Sequence, residues 1–285
     1  MTLRQVTRCR PLLGTFVEVN LQADLPEKAL IEYSNLAFAE IERVQQVLSF
    51  HQQSSELSQL NLALISAPTS VKKISNDLIK VLSFASDLHK KSTGIYDISV
   101  AANLVADKYL PDHLIRHKNQ PTYGNFSDVT LTNNSICSAK PVFFDLGGIA
   151  KGYAVDQAIS KIPSSISGYI NAGGDMRVID WFEERVAIKY ARRSGALKQL
   201  TLLNTALASS GSYYQQQGSQ YFNPITRQYN AIKGCISVFA DSAMQADALT
   251  KVVALMKRKD AKKLLNHYCA KAITTNRFGF SRQVN

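Results

Sequence analysis

Between Phe143 and Ala154 an apolar, β-prone run stops at Asp145, turns through Gly147 and Gly148, and resumes as a helix-like pattern with Lys151 in its first turn. Such a turn suits an anion. Glycines let backbone N–H groups approach a bound ligand closely, and a helix N-terminus adds a favourable field for negative charge. Lys151 adds a full positive charge. Asp145 would repel a bare phosphate. It fits an anion that arrives with a divalent cation, or a carboxylate that grips a sugar or a ring N–H. Other polar, glycine-bearing stretches lie beside apolar segments: Leu13-Gly14-Thr15, Thr93 to Asp97, and Ser209 to Tyr213. A further stretch, Ala246 to Lys251, opens a helical pattern. Glycine turns before helices are common punctuation, and a carboxylate such as Asp247 near a helix start complements the dipole. Asp247 and Lys251 stand at i and i+4, which predicts an ion pair on one helical face.

The elements that must position these residues follow from periodicity. Phe16 to Leu21 alternates as a strand. Pro26 opens a long amphipathic helix carrying Leu30, Ala37, Ile41, Val44 and Leu48. Ser49 to Asn61 reads as polar and turn-like. A second helix spans Asn76 to Lys91 and ends at Ser92-Thr93-Gly94. Residues 108–127 read as a loop in which His113 and His117, four apart, lack a third ligand. Strands are expected at 128–131, 141–146, 168–171, 176–179, 185–190, 197–203 and 235–240. Helices are expected after Lys151 and again through Ala246, Leu249, Val253 and Met256. Hairpin-connected strands mixed with helices, without steady βαβ alternation, predict an α+β fold.

Composition narrows the function classes. Of 285 residues, 45% are hydrophobic and 19% charged, enough for a sizeable core, and no linker marks a boundary. The formal charge of +11 points to an anionic ligand or partner. The positives are scattered, except for Lys257 to Lys259 with Lys262 and Lys263, and no basic stripe interleaves with aromatics, which argues against nucleic acid. Cys9, Cys137, Cys235 and Cys269 form no CxxC pair, so a zinc site is not expected. Neither a signal-peptide core nor a membrane-length apolar run is apparent, so a cytoplasmic location is the expectation.

Taken together and in this order, the motifs resemble those of the ApbE family, the FAD:protein FMN transferases. The resemblance runs through Pro11 to Val19, Leu48-Ser49-Phe50, Ser55 to Asn61, Gly94 to Ser99, Asp145 to Ala154, Asn171 to Asp175, Ser209-Ser210-Gly211 and Asp247-Ala248-Leu249. It implies a single ApbE-like domain over residues 1–285, bilobal, with FAD in a cleft between the lobes. It also implies Mg²⁺-assisted cleavage of the FAD pyrophosphate, passage of FMN to a threonine of a partner flavoprotein, and release of AMP. The alternatives are FAD pyrophosphatase activity and flavin binding without turnover. By the same resemblance, Asp145 and Lys151 would contact FAD. Leu13, His51, Ile95, Tyr96 and Asp97 would line the flavin or adenine pocket. The carbonyl of Gly148 and the carboxylate of Asp247 would bind Mg²⁺, an ion that prefers hard oxygen ligands.

The chain departs from the family pattern twice. The oxygen ligand expected four residues after the metal-binding aspartate is replaced by Lys251, with Thr250 beside it. Either Thr250 takes over as ligand or the Lys251 ammonium replaces part of the metal's charge. The family's histidine before a Pro-x-Thr-Gly turn is also missing. The matching stretch is Gln220 to Arg227, and no histidine lies between His117 and His267. Gln220 cannot serve as a general base near neutral pH, which leaves Asp241, Asp175 or the acceptor protein as the source of one.

Overall fold

The computed structural model describes residues 3–112, 122–180, 185–189, 197–201, 205–211, 219–232, 234–276 and 278–285. His113 and His117 lie outside the described residues. In chain order the first half contains β1 (Arg4–Leu12), β2 (Thr15–Ala23), α1 (Glu27–Leu48), α2 (Glu56–Ser66), β3 (Lys72–Lys73), α3 (Asn76–Lys91), α4 (Ala101–Ala106), β4 (Val129–Leu131) and β5 (Ser135–Ser138). The second half contains α5 (Ala150–Ile159), β6 (Ser167–Ala172), β7 (Asp175–Ile179), β8 (Arg185–Lys189), β9 (Leu197–Thr201), β10 (Ala206–Gly211), β11 (Ser219–Asn223), β12 (Gln228–Ile232) and β13 (Gly234–Ala240). It ends with α6 (Ala243–Leu255), α7 (Arg258–His267), β14 (Lys271–Asn276) and β15 (Ser281–Gln283). The fold is α+β.

Two compact units emerge. The first comprises Met1–Arg43, Lys151–Tyr221 and Tyr229–Asn285, and the second Val44–Ala150 with Phe222–Gln228. The first unit is built on an eight-stranded sheet in the order β1-β2-β6-β7-β10-β13-β14-β15, with every pair antiparallel. Strand β2 carries Val17, Val19 and Leu21 into the core, all fully buried. Helix α1 meets β1 through Arg8, which donates to Ser34 Oγ at 2.6 Å, and through Arg10, whose guanidinium lies 4.5 Å from the Phe38 ring centre. Helix α6 packs on β10 and β13. The second unit gathers α2, α3 and α4 with the small sheet β3-β5-β4.

Two local expectations need correction, and one helix was not anticipated. Ser49 to Asn61 is not all turn, because Glu56 begins α2. Ser55 caps this helix by accepting the Ser58 N–H at 3.0 Å, and Leu57, Leu60 and Leu64 form its buried stripe. Polar Ser58 and Asn61 disguise that stripe because they are buried as well, each with hydrogen-bond partners. The basic cluster from Lys257 onward forms α7, whose Ala261, Leu264 and Leu265 are buried. Residues 141–146 join no ladder. The Asn61 carboxamide stands where a neighbouring strand would be: Phe144 N–H donates to Asn61 Oδ1 at 2.9 Å and Asn61 Nδ2 donates to the Phe144 carbonyl at 2.9 Å. An apolar run gains strand-like backbone bonding this way without a strand partner.

Candidate functional site

In the first unit two helix starts are pressed together. A Cβ on Gly152 of α5 would lie 2.2 Å from the Ala243 carbonyl oxygen at the start of α6, so only glycine allows this approach. The contact is reciprocally capped. Asp156 on α5 accepts the N–H groups of Ala243 and Met244, each at 2.9 Å, and pairs with Arg177 at 2.8 Å. Asp247 on α6 in turn accepts the Gly152 N–H at 3.4 Å. Burial pushes the Asp156 carboxyl up, against the pull of the two N–H groups and Arg177. Lys151 is thereby carried against Asp247.

The opposite wall comes from the sheet. Gly173 and Gly174 turn β6 into β7 with φ of +65° and +106°, a conformation that favours glycine. A side chain on Gly173 would also meet Thr15. The turn delivers Asp175 to the first position of β7, paired with Ala208 on β10. Ser209, Ser210 and Gly211 continue β10 along the rim. Ser209 Oγ is 2.9 Å from Ser237 Oγ, and Ser210 Oγ bonds the Tyr221 hydroxyl.

Lys151, Asp247, Gly173, Asp175 and Ser209 to Gly211 line a pocket of about 210 Å³, which Thr250 and Lys251 complete. Lys151 Nζ lies 2.8 Å from Asp175 Oδ2 and 3.7 Å from Asp247 Oδ2. Lys251 Nζ lies 2.5 Å from Asp247 Oδ1 and donates to the Asp247 carbonyl at 3.2 Å. The predicted i, i+4 pair is therefore formed. Both carboxylates are buried, whereas the lysine side chains remain 30% and 23% exposed. Burial opposes the Lys151 charge, but Asp175 and Asp247 outweigh it and hold the ammonium above its usual range. Burial and the neighbouring Asp247 charge push the Asp175 carboxyl up to about 6, against the pull of both lysines. Asp247 has the opposite fate. Burial works against its charge, yet Lys151, Lys251 and the Gly152 N–H hold its carboxyl below the ordinary carboxylate range.

A magnesium ion fits this donor set badly. Both Asp247 oxygens already face ammonium groups, and the Thr250 hydroxyl turns back to its own helix, donating to the Asp247 carbonyl at 2.7 Å. Among the described residues no group of three or more His, Cys, Asp or Glu side chains converges to hold a metal. A doubly charged ion about 4 Å from one ammonium would be repelled by about 8 kcal/mol at an effective dielectric constant of 20.

The other sequence-predicted residues are placed as follows. Leu13 sits half-buried in the β1–β2 turn of the first unit with φ of +55°. Asp241 is exposed just before α6. Gln220 lies in β11, and its side chain is outside the described residues, as are Ser212 and Tyr213. In the second unit His51 is exposed beside Phe50, and Gly148 follows Asp145 in the glycine turn. Asp145 Oδ1 accepts the Gly147 N–H at 3.1 Å, and its own N–H donates to the Ile98 carbonyl at 2.8 Å. That bond joins the Asp145 turn to the segment carrying Ile95, Tyr96 and Asp97.

Sequence reading missed the residue that holds this segment. His89 is buried at the end of α3, and its Nδ1–H donates to the Tyr96 carbonyl at 3.0 Å. The other ring nitrogen, Nε2, lies 3.0 Å from the Ser127 hydroxyl oxygen. Asp97 Oδ2 stands 3.6 Å from Nδ1, and Asp97 Oδ1 receives Ser99 N–H and Oγ–H. His89, Asp97 and Ser127 border a second pocket of about 430 Å³, with Gly94 and Ile225. The one available signal was a histidine two residues before a helix end. Asp156 was missed for a similar reason: its caps lie 87 and 88 residues away in sequence.

Among the described residues no helix is long and apolar enough to cross a membrane. A curated Haemophilus influenzae protein named FAD:protein FMN transferase is 28% identical over 234 residues, 71% of this chain. The match spans 66% of that relative's own length. Solved structures share the fold. The flavin transferase ApbE from Vibrio cholerae superposes with a TM-score of 0.79 at 21% identity, covering 99% of this chain and 97% of its own. The Pseudomonas stutzeri flavinyl transferase ApbE, in its apo form, gives 0.80 at 19% identity, covering 99% and 95%. The ApbE protein of Thermotoga maritima gives 0.79 at 20% identity, covering 98% and 97%. The family model described as "ApbE family" matches residues 13–274, and the chain belongs to the ApbE family.

Proposed function

We propose that this chain is an FAD:protein FMN transferase, moving FMN from FAD to a threonine hydroxyl of a partner flavoprotein. The threonine oxygen attacks the flavin-side phosphorus, the bridging P–O bond breaks, and AMP leaves with the bridging oxygen. The observation that carries this reading is the pocket of Lys151, Lys251, Asp175 and Asp247, set among family motifs in a chain that matches the family model almost end to end. The named activity of the Haemophilus influenzae relative supports it. Phosphoryl transfer depends on positioning and on neutralising charge at the transferred group, and two ammonium groups at one opening serve both needs. Asp145 and Ile95 to Asp97, tied together in the second unit, are proposed to hold flavin or adenine, with Leu13 and His51 as further contacts. The threonine proton needs an acceptor. A buried carboxyl raised to about 6 makes Asp175 the candidate base; Asp241 is exposed, and an amide such as Gln220 has no basic group.

Incubation with FAD, Mg²⁺ and a candidate acceptor flavoprotein, followed by intact-mass analysis of the acceptor, tests the reading. A mass gain equal to FMN is expected, and Asp247→Ala is expected to abolish it. AMP release without labelling would assign hydrolysis instead, and tight FAD binding with neither product would sink both enzymatic readings.

A further inference from the structure

We propose that Lys251 and Lys151 together supply the positive charge a divalent ion would otherwise bring, so that this chain binds the FAD diphosphate without a metal. The inference rests on the flavin-transfer reading of the pocket. It is carried by three observations. First, the place beside Asp247 is taken: Lys251 Nζ lies 2.5 Å from one carboxylate oxygen and Lys151 Nζ 3.7 Å from the other. Second, the charges are layered. The carboxylates of Asp175 and Asp247 are buried at the base, 6% and 1% exposed, while the lysines that cover them are 30% and 23% exposed. An entering diphosphate therefore meets ammonium groups before carboxylates. Third, the two carboxylates are balanced by the two ammonium groups. A divalent ion alone would leave two excess positive charges and a bare diphosphate two excess negative ones, so position separates them: the ion at Asp247 would sit against both ammonium groups, whereas the diphosphate would lie against those same ammonium groups with the carboxylates behind them. The Thr250 hydroxyl points back along its own helix, donating to the Asp247 carbonyl at 2.7 Å.

The test measures FAD affinity by flavin fluorescence in EDTA and in saturating Mg²⁺, and Mn²⁺ binding by electron paramagnetic resonance. Wild type, Lys251→Thr and Lys251→Arg are compared. Wild type is expected to bind FAD equally in both buffers and to leave Mn²⁺ free. Lys251→Arg, which keeps the charge, should match it. Lys251→Thr removes the ammonium and frees an Asp247 oxygen. It should acquire Mn²⁺ binding, and its FAD affinity should fall about tenfold or more in EDTA and recover in Mg²⁺. Stoichiometric Mn²⁺ binding by the wild type, or FAD binding that disappears in EDTA, would overturn the inference while leaving flavin transfer standing, and neither result needs a variant. If FAD binds in neither buffer, the flavin-transfer reading falls. Inorganic pyrophosphate then decides: its binding in EDTA, with Mn²⁺ left free, upholds the metal-free diphosphate site, and its failure to bind overturns it.

Discussion

Replacing Asp175 by asparagine should change how stability depends on pH, and the sign follows from the pocket. The Asp175 carboxyl titrates near 6 in the folded chain because it is buried beside Asp247, whose charge repels its own. In the unfolded chain an aspartate titrates near 4. Between these values the folded state holds a proton that the unfolded state has lost, so stability falls as pH rises. A separation of about two pKa units corresponds to about 3 kcal/mol in full, roughly half of it lost between pH 5 and pH 8. Asparagine has nothing to ionise. Urea unfolding of wild type and Asp175→Asn at pH 5 and pH 8, read from midpoints at matched m-values, should show the variant gaining relative stability by about 1–2 kcal/mol at the higher pH. A constant difference between the two proteins would refute the reasoning. A reversed difference would be more damaging, because it would mean that the ion pair with Lys151 outweighs burial and Asp247 and holds the carboxyl down. If Asp175 also accepts the acceptor's proton, flavin transfer by wild type should decline below about pH 6 as the carboxylate is lost.

Two structural predictions accompany these. Gly152→Ala places a methyl group 2.2 Å from the Ala243 carbonyl, which cannot turn aside; it should destabilise by about 1–3 kcal/mol despite alanine's better helix propensity, and weaken FAD binding as Lys151 moves from Asp247. Unchanged unfolding midpoint and FAD affinity would mean that the helix contact does not set the pocket. Asn61→Ala strips the Phe144 N–H and carbonyl of their partners; a loss of about 2–5 kcal/mol is expected from denaturant unfolding, since each buried group is left unpaired. A neutral result would show that water or a neighbouring segment replaces the carboxamide.

The family was legible in the sequence because its motifs are local. Short glycine-bearing runs keep their spacing whatever the rest of the chain does, and the Asp145 to Ala154 stretch was the most specific of them. Strands β2, β4, β6 to β9 and β13, and helices α1, α3, α5 and α6, were legible for the same kind of reason, since burying one face leaves a regular period, whereas β1, β3, β5, β10 to β12, β14 and β15 were not anticipated. Helix α2 was hidden because Ser58 and Asn61 are buried polar residues that break the apolar pattern, and α7 because its exposed face is dense with lysine. The run at 141–146 has a strand's composition, and composition does not say that a single asparagine carboxamide will take the partner strand's place.

The sequence alone determined the family, the α+β class and the i, i+4 pairing of Asp247 with Lys251, because each depends on residues close together in the chain. Only the tertiary structure decided what that pair is part of. Lys151 and Asp247 are 96 residues apart, yet Gly152 lets α5 and α6 touch, and the Gly173-Gly174 turn delivers Asp175 to the same pocket from the sheet. Read singly, Lys251 was a lysine in a ligand's position. Packed together, the two lysines stand on both oxygens of Asp247, and ammonium groups that close weigh against a metal ion there.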